Sequence, residues 1–246
     1  MPSSCLSHMD FSRCLRHCVI LYGILTLYWN KAGETVPKQA IVWGASGGIG
    51  SAVINRLKQD DWIVSAASRS VDRNPESADY HLEFEAQDAY SVKRAIMQIA
   101  QQTESLDLVI YAAGDIAYEK LADMDIEAWQ ATIESNLTGA LVTAQQSLPL
   151  LRQGGTMVFI GAYVDHVRLP KMGAYAAAKA ALAEMVTIMA KENRRHNFVI
   201  VRPGAVNTSF WDKISLKLPA DAKSPDEIAE RIVAHVSEET KGDLNL

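Results

Sequence analysis

The chain has 246 residues, 48% apolar and 22% charged, with 14 glycines and 8 prolines. That profile excludes collagen-like and disordered chains, and the length suits one large α/β domain or two small ones. With Lys+Arg 24 against Asp+Glu 29 and a net charge of −5, it lacks the basic surplus that a nucleic-acid binder uses to neutralise phosphates.

Charge and cysteine are unevenly placed. Cys5, Cys14 and Cys18 are the only cysteines. Up to Lys38 the charged residues are Arg13, Arg16, Lys31 and Lys38 against Asp10 and Glu34, so the acidic excess belongs to the rest. The chain therefore reads as an extension, residues 1–38, and a body, residues 39–246. Within the extension, Cys18 to Trp29 (CVILYGILTLYW) is uncharged but only 12 residues long, short of the roughly 20 that span a bilayer. Arg13, Arg16 and His17 before it outline a signal peptide, although Trp29 to Gly33 fits a cleavage site poorly. Three readings are open: translation beginning near Val36, a membrane-surface anchor, or an export signal. Membrane contact is expected only if this extension is a real part of the protein. Its three cysteines form neither a disulfide framework nor a metal-ligand spacing, and His81, His166, His196 and His235 are scattered, so no metal site is expected.

In the body, apolar runs alternate with amphipathic ones. Gln39 to Trp43 is a short apolar strand and Gly48 to Gln59 has helical spacing. Trp62 to Ala67 and Tyr80 to Phe84 read as strands, and Ala89 to Gln102 as a helix with Val92, Ile96 and Ile99 on one face. Leu106 to Ala112 is a buried strand and Ile126 to Leu148 one long helix. Thr156 to Ile160 is a strand, Gly173 to Glu192 an Ala-rich helix, and Phe198 to Val201 a strand. Ser224 to Val236 is the last helix, with Ser224 as N-cap and Pro225 in the first turn. Asp243 to Leu246 forms a final edge strand. This alternation predicts an α/β single domain, a doubly wound parallel sheet with helices on both faces in three α/β/α layers.

Three local patterns carry chemistry. Gly44-Ala45-Ser46-Gly47-Gly48-Ile49-Gly50 follows a strand and opens a helix. Glycine allows a sharp turn and close approach to a phosphate, and the helix N-terminus offers free N–H groups, which is a Rossmann dinucleotide turn. The second strand ends at Ser68-Arg69, without the acid that binds a ribose 2′-hydroxyl. A guanidinium there offers paired donors to a 2′-phosphate, which favours NADP over NAD. Tyr175 and Lys179 are spaced i, i+4 and share a helix face. An ammonium near a phenol favours the phenolate, so Lys179 is expected to lower the Tyr175 pKa and ready it for proton exchange.

Together these patterns resemble the short-chain dehydrogenase/reductase family, from about Gln39 to the C-terminus. The TGxxxGxG loop corresponds to Trp43 to Gly50, with Trp43 in place of threonine. The NNAG stretch looks like Tyr111-Ala112-Ala113-Gly114, and the acid near adenine like Glu85. The mid-helix asparagine falls on Asn136, YxxxK on Tyr175 to Lys179, and PGxxxT on Pro203 to Thr208. The resemblance implies cofactor contacts from Gly44, Ser46, Gly48, Ile49, Gly50, Ser68, Arg69, Ala113, Gly114, Tyr175, Lys179, Pro203, Gly204, Val206 and Thr208. It implies that Tyr175, Lys179 and Asn136 are catalytic, with Asn136 anchoring a water that links Lys179 to a proton relay.

One position departs from the pattern. The family's catalytic serine lies about 13 residues before the tyrosine, where this chain has Ala162. Tyr163 is the nearest side chain able to supply a hydroxyl. Phe210 and Trp211, just past the PGxxxT-like segment, are expected either to cap the substrate or to pack on the core. The implied activity is NADP(H)-dependent hydride transfer between nicotinamide and a small carbonyl or alcohol. The alternative is a catalytically weak NADP-binding sensor or scaffold. The resemblance further implies a homodimer or homotetramer, and a cytoplasmic location is expected.

Overall fold

The inner strands are apolar on both sides because each side is covered. In β1 (Gln39–Trp43) Ala40 and Val42 point into one core while Ile41 and Trp43 point into the other. β4 (Leu106–Tyr111), β5 (Leu151–Ile160) and β6 (Asn197–Arg202) alternate in the same way. A strand buried on both faces loses the apolar/polar alternation of a half-exposed one. The first core is closed by α1 (Gly48–Gln59) and the last helix, through Val53, Leu57, Ile228 and Ile232. The second is closed by α2 (Ala89–Ile99) and two later helices, through Val92, Ala144, Leu182 and Val186.

The computed structural model describes residues 36–238 and 242–246. Readings that fall on the cysteines and the apolar run before Val36 lie outside them. Pro37–Leu246 is one compact unit. β2 (Ile63–Ser68), β3 (Tyr80–Glu83) and β7 (Leu244–Asn245) complete a parallel sheet in the order β3-β2-β1-β4-β5-β6-β7. The chain reverses its direction of growth between β1 and β4, and ligands of open α/β sheets bind in the crevice beyond such a reversal. Among the described residues, no helix is long and apolar enough to cross a membrane.

The long helix expected over Ile126 to Leu148 is three pieces. α3 (Ile126–Ile133) widens into a π-helical turn at Glu134–Thr138, then continues as α4 (Gly139–Ser147), and Leu148–Leu150 is 3₁₀. The wide turn is centred on Asn136, whose side chain is fully buried and takes up backbone carbonyls. Turns of this kind recur at functional sites. β5 starts five residues earlier than expected, because Leu151 pairs with Leu106 across a register shift. α5 (Gly173–Glu192) keeps its expected bounds. α6 (Pro225–Ser237) begins with the full capping box, Ser224 and Glu227 exchanging hydrogen bonds.

Candidate active site

The C-terminal ends of β1, β4, β5 and β6 and the first turns of α5 surround a cleft of about 750 Å³. Its lining includes Gly48, Ile49, Ala113, Gly114, Asn136, Ala162, Tyr163, Tyr175, Lys179, Pro203, Gly204, Val206, Thr208, Phe210 and Trp211. Segments far apart in the chain are thus brought together as the motif order implied. Gly44, Ser46, Gly50, Ser68 and Arg69 do not border it.

Gly44 and Gly50 act behind the wall. Gly44 has φ +86°, and a Cβ there would lie 2.4 Å from the Ala113 nitrogen. A Cβ on Gly50 would lie 2.3 Å from the Gly44 oxygen. These two glycines press the turn onto itself and onto the end of β4, which leaves Gly48 at the cleft. The α1 N-cap is Gly47, which has no side chain to cap the helix. The first N–H groups of α1 are therefore left for an anion. The N–H groups of Gly44 and Ala45 donate to the Ala67 carbonyl at 2.9 and 3.0 Å, tying the turn to the end of β2. There Ser68 is buried, its hydroxyl donating to the Ser70 carbonyl at 2.7 Å, and Arg69 is exposed. Glu85 follows β3, and its N–H donates to Ser91 Oγ at 3.0 Å.

Tyr175 and Lys179 lie one turn apart on α5, with the ammonium 5.5 Å from the centre of the phenol ring. Lys179 is buried, and its Nζ donates to the Ile160 carbonyl at 2.8 Å. Asn136 Nδ2 donates to the Asp115 carbonyl at 2.6 Å and to the Thr132 carbonyl at 2.9 Å. Its Oδ1 is buried without a partner among the described residues. A Cβ on Gly114 would sit 2.6 Å from Asn136 Oδ1 and 3.7 Å from Lys179 Nζ. Glycine at 114 therefore keeps open the space that the amide oxygen and the ammonium share.

The expected lowering of the Tyr175 pKa is not what this geometry produces. Burial pushes the phenol above its ordinary range, and the same burial lowers Lys179 to about 8. Desolvation disfavours each charged form, and the lysine is hydrogen-bonded to a carbonyl rather than to the phenol. Tyr175 is thus a protonated phenol at neutral pH.

Ala162 lines the cleft as a buried side chain with no hydroxyl. Tyr163 also borders it, its ring centre 5.0 Å from that of His166. Phe210 packs against Tyr175 at 5.4 Å between ring centres, and Trp211 Nε1 donates to the Val206 carbonyl at 2.9 Å. Sequence reasoning missed Asp115, Lys213, Lys223 and Leu246, all of which border the cleft. Leu246 arrives there because β7 pairs with β6 and its carbonyl accepts from the Gly204 N–H at 3.1 Å. A two-residue strand carries too little pattern to announce that contact.

Residues 38–219 match the family model of the short chain dehydrogenase. The chain belongs to the short-chain dehydrogenase family. An oxidoreductase of Staphylococcus aureus strain N315, itself uncharacterized, is 30% identical over 213 residues, 80% of this chain and 89% of that protein. The 3-oxoacyl-[acyl-carrier-protein] reductase MabA of Mycobacterium bovis is 28% identical over 179 residues, covering 71% of this chain and 72% of its own. Among solved structures, an alcohol dehydrogenase from Thermococcus sibiricus complexed with 5-hydroxy-NADP superposes with a TM-score of 0.76 at 29% identity, over 86% of this chain and 95% of that one. This short-chain dehydrogenase is accordingly an oxidoreductase that uses a nicotinamide cofactor, built on a single Rossmann domain.

Proposed function

We propose that the protein is an NADPH-dependent reductase of a small carbonyl compound, working in the cytoplasm. The observation that carries this reading is the meeting of Tyr175, Lys179 and Asn136 in the same cleft as the glycine turn. The residues present fit a dinucleotide: a helix start with no capping side chain, and an exposed Arg69 where an acid would repel a 2′-phosphate. Gly48, Ile49 and the α1 N-terminus would hold the pyrophosphate, Arg69 the adenosine phosphate, and Pro203 to Thr208 the carboxamide end. NADPH, when bound, supplies the hydride.

The chain's own residues handle the proton. Tyr175, protonated at neutral pH, donates to the substrate oxygen as it gains charge. Lys179, fixed by the Ile160 carbonyl, positions the nicotinamide ribose and stabilises the phenolate left behind. The free Asn136 oxygen holds a water that returns a proton toward Lys179. The enzyme works as a homodimer or homotetramer through the exposed face of α5, where Ala177, Ala181 and Ile188 line up.

Ala162 supports a second reading, a catalytically weak NADP-binding sensor or scaffold. Losing one donor to a developing oxyanion costs about 3 kcal/mol, roughly a hundredfold in rate. Tyr175→Phe separates the two. Under the first reading it abolishes NADPH oxidation by ketones and leaves NADPH binding intact. Turnover unchanged in the variant would exclude Tyr175 as the acid, and no turnover in the parent protein with a broad carbonyl panel would favour the second reading.

A further inference from the structure

A third apolar cluster, separate from the two that cover the sheet, stands on the open side of Tyr175. Ile116, Met172 and Ile214 are its buried members, and Tyr118, Phe210 and Trp211 pack against them together with the Tyr175 ring. Met172, Phe210, Trp211 and Ile214 face the cleft directly. A group entering beside the Tyr175 hydroxyl therefore meets aromatic and aliphatic surface.

Two charged side chains border this same end, and they are spent on each other. Lys213 Nζ lies 2.5 Å from Asp115 Oδ1, joining the segment after β6 to the segment after β4 across the cleft. Asp115 Oδ1 also accepts from the Ile116 N–H at 2.8 Å, which fixes the carboxylate in place. Lys179 is engaged by the Ile160 carbonyl. Lys223 belongs to the opposite end, next to the Ser224–Pro225 corner that approaches Gly48. His166 and Asp221 border the cleft as exposed residues. An ion pair this exposed contributes little to stability. Its consequence lies in what the pocket shows: without Asp115, Lys213 would present an uncompensated cation to anything bound beside Tyr175.

We propose that the substrate is an uncharged carbonyl compound with an apolar body, and that Asp115 enforces this choice by cancelling the charge of Lys213. The proposal rests on the reading of the cleft as a carbonyl-reducing site. A carboxylate taken into an apolar pocket without a free partner loses hydration and gains nothing in return. An apolar body of the same length replaces water on the aromatic walls.

Three methyl ketones that differ in one terminal group test it: benzylacetone (phenyl), methyl levulinate (methyl ester) and levulinate (carboxylate). Their binding to the full chain saturated with NADP⁺ is measured by calorimetry, and NADPH oxidation is followed in parallel. Benzylacetone should bind at least about tenfold tighter than methyl levulinate, with levulinate weakest. In Asp115→Asn, levulinate should gain about tenfold relative to its methyl ester, and the gain should vanish in Asp115→Asn combined with Lys213→Gln. Asp115→Ser, which keeps an acceptor for the Ile116 N–H, replaces Asp115→Asn if the amide variant does not fold. Levulinate binding as well as benzylacetone, no binding of benzylacetone, or a levulinate-to-ester ratio unmoved by either Asp115 variant would overturn the proposal. Binding in the expected order without NADPH oxidation would uphold the pocket assignment and count against the reductase reading instead.

Discussion

Gly48 and Thr208 come from opposite ends of the body and meet in the cleft wall: a Cβ on Gly48 would lie 2.5 Å from Thr208 Cγ2. Thr208 is not free to swing away, because its hydroxyl accepts from the Phe210 N–H as the cap of the 3₁₀ turn Ser209–Lys213. β-Branched side chains have few alternative rotamers. Gly48→Ala should therefore displace Thr208, and NADPH affinity measured by fluorescence titration should fall about tenfold or more. Adding Thr208→Ser, which removes Cγ2 and keeps the hydroxyl, should recover most of the loss. An alanine variant with unchanged affinity would mean that the turn and the loop are not held against each other.

Arg69 sets the cofactor choice in the proposed reading. The protein should bind NADPH more tightly than NADH, and Arg69→Asp should reverse the order, weakening NADPH by about tenfold to a hundredfold. Paired titrations of both nucleotides provide the check. Tighter NADH binding by the parent protein would defeat the assignment.

Lys179 gives stability a pH dependence whose sign follows from burial. Its pKa is lowered from 10.5 to about 8 in the folded protein. Below about pH 8 both folded and unfolded chains carry the proton, and the cost of the buried ammonium is present throughout. Between about 8 and 10.5 the folded protein has released it and the unfolded chain has not, so stability rises with pH by roughly 3 kcal/mol. Tyr111 and Tyr175, raised by burial, act in the other direction once unfolded tyrosines ionise near 10. Urea unfolding of cofactor-free protein from about pH 7 to about pH 10 should show the rise, and Lys179→Met should flatten it.

The candidate site residues named above all lie beyond residue 38 in the sequence, and β1 starts at Gln39. A chain beginning at Val36 should fold and bind NADPH as well as the full one, with the same thermal midpoint. A loss of either would show that the extension takes part in the domain.

Much of the site was legible because its parts are local. The glycine turn, the Tyr175/Lys179 spacing and the Ser224–Glu227 capping box each span a few residues, so backbone geometry relates them directly. The break at Asn136 was not legible, since nothing in the 3.6-residue pattern marks a turn that widens to seat one buried amide. Asp115 and Lys213 were missed for a related reason. They meet only because β4 and β6 flank β5 in the sheet, and neither segment carries a pattern of its own.

Periodicity and short spacings alone determined the alternation of strands and helices and the parallel doubly wound sheet, and the family resemblance supplied the order of the motifs along the chain. These depend on contacts within one or two turns and on which faces must be buried. Tertiary structure decided the rest: the strand order that places the crevice between β1 and β4, the masking of Lys213 by Asp115, and the direction in which the Tyr175 pKa moves. The last is the clearest case. Spacing put an ammonium beside a phenol and pointed to a lowered pKa, but desolvation depends on everything packed around the pair, and it raised the tyrosine and lowered the lysine instead.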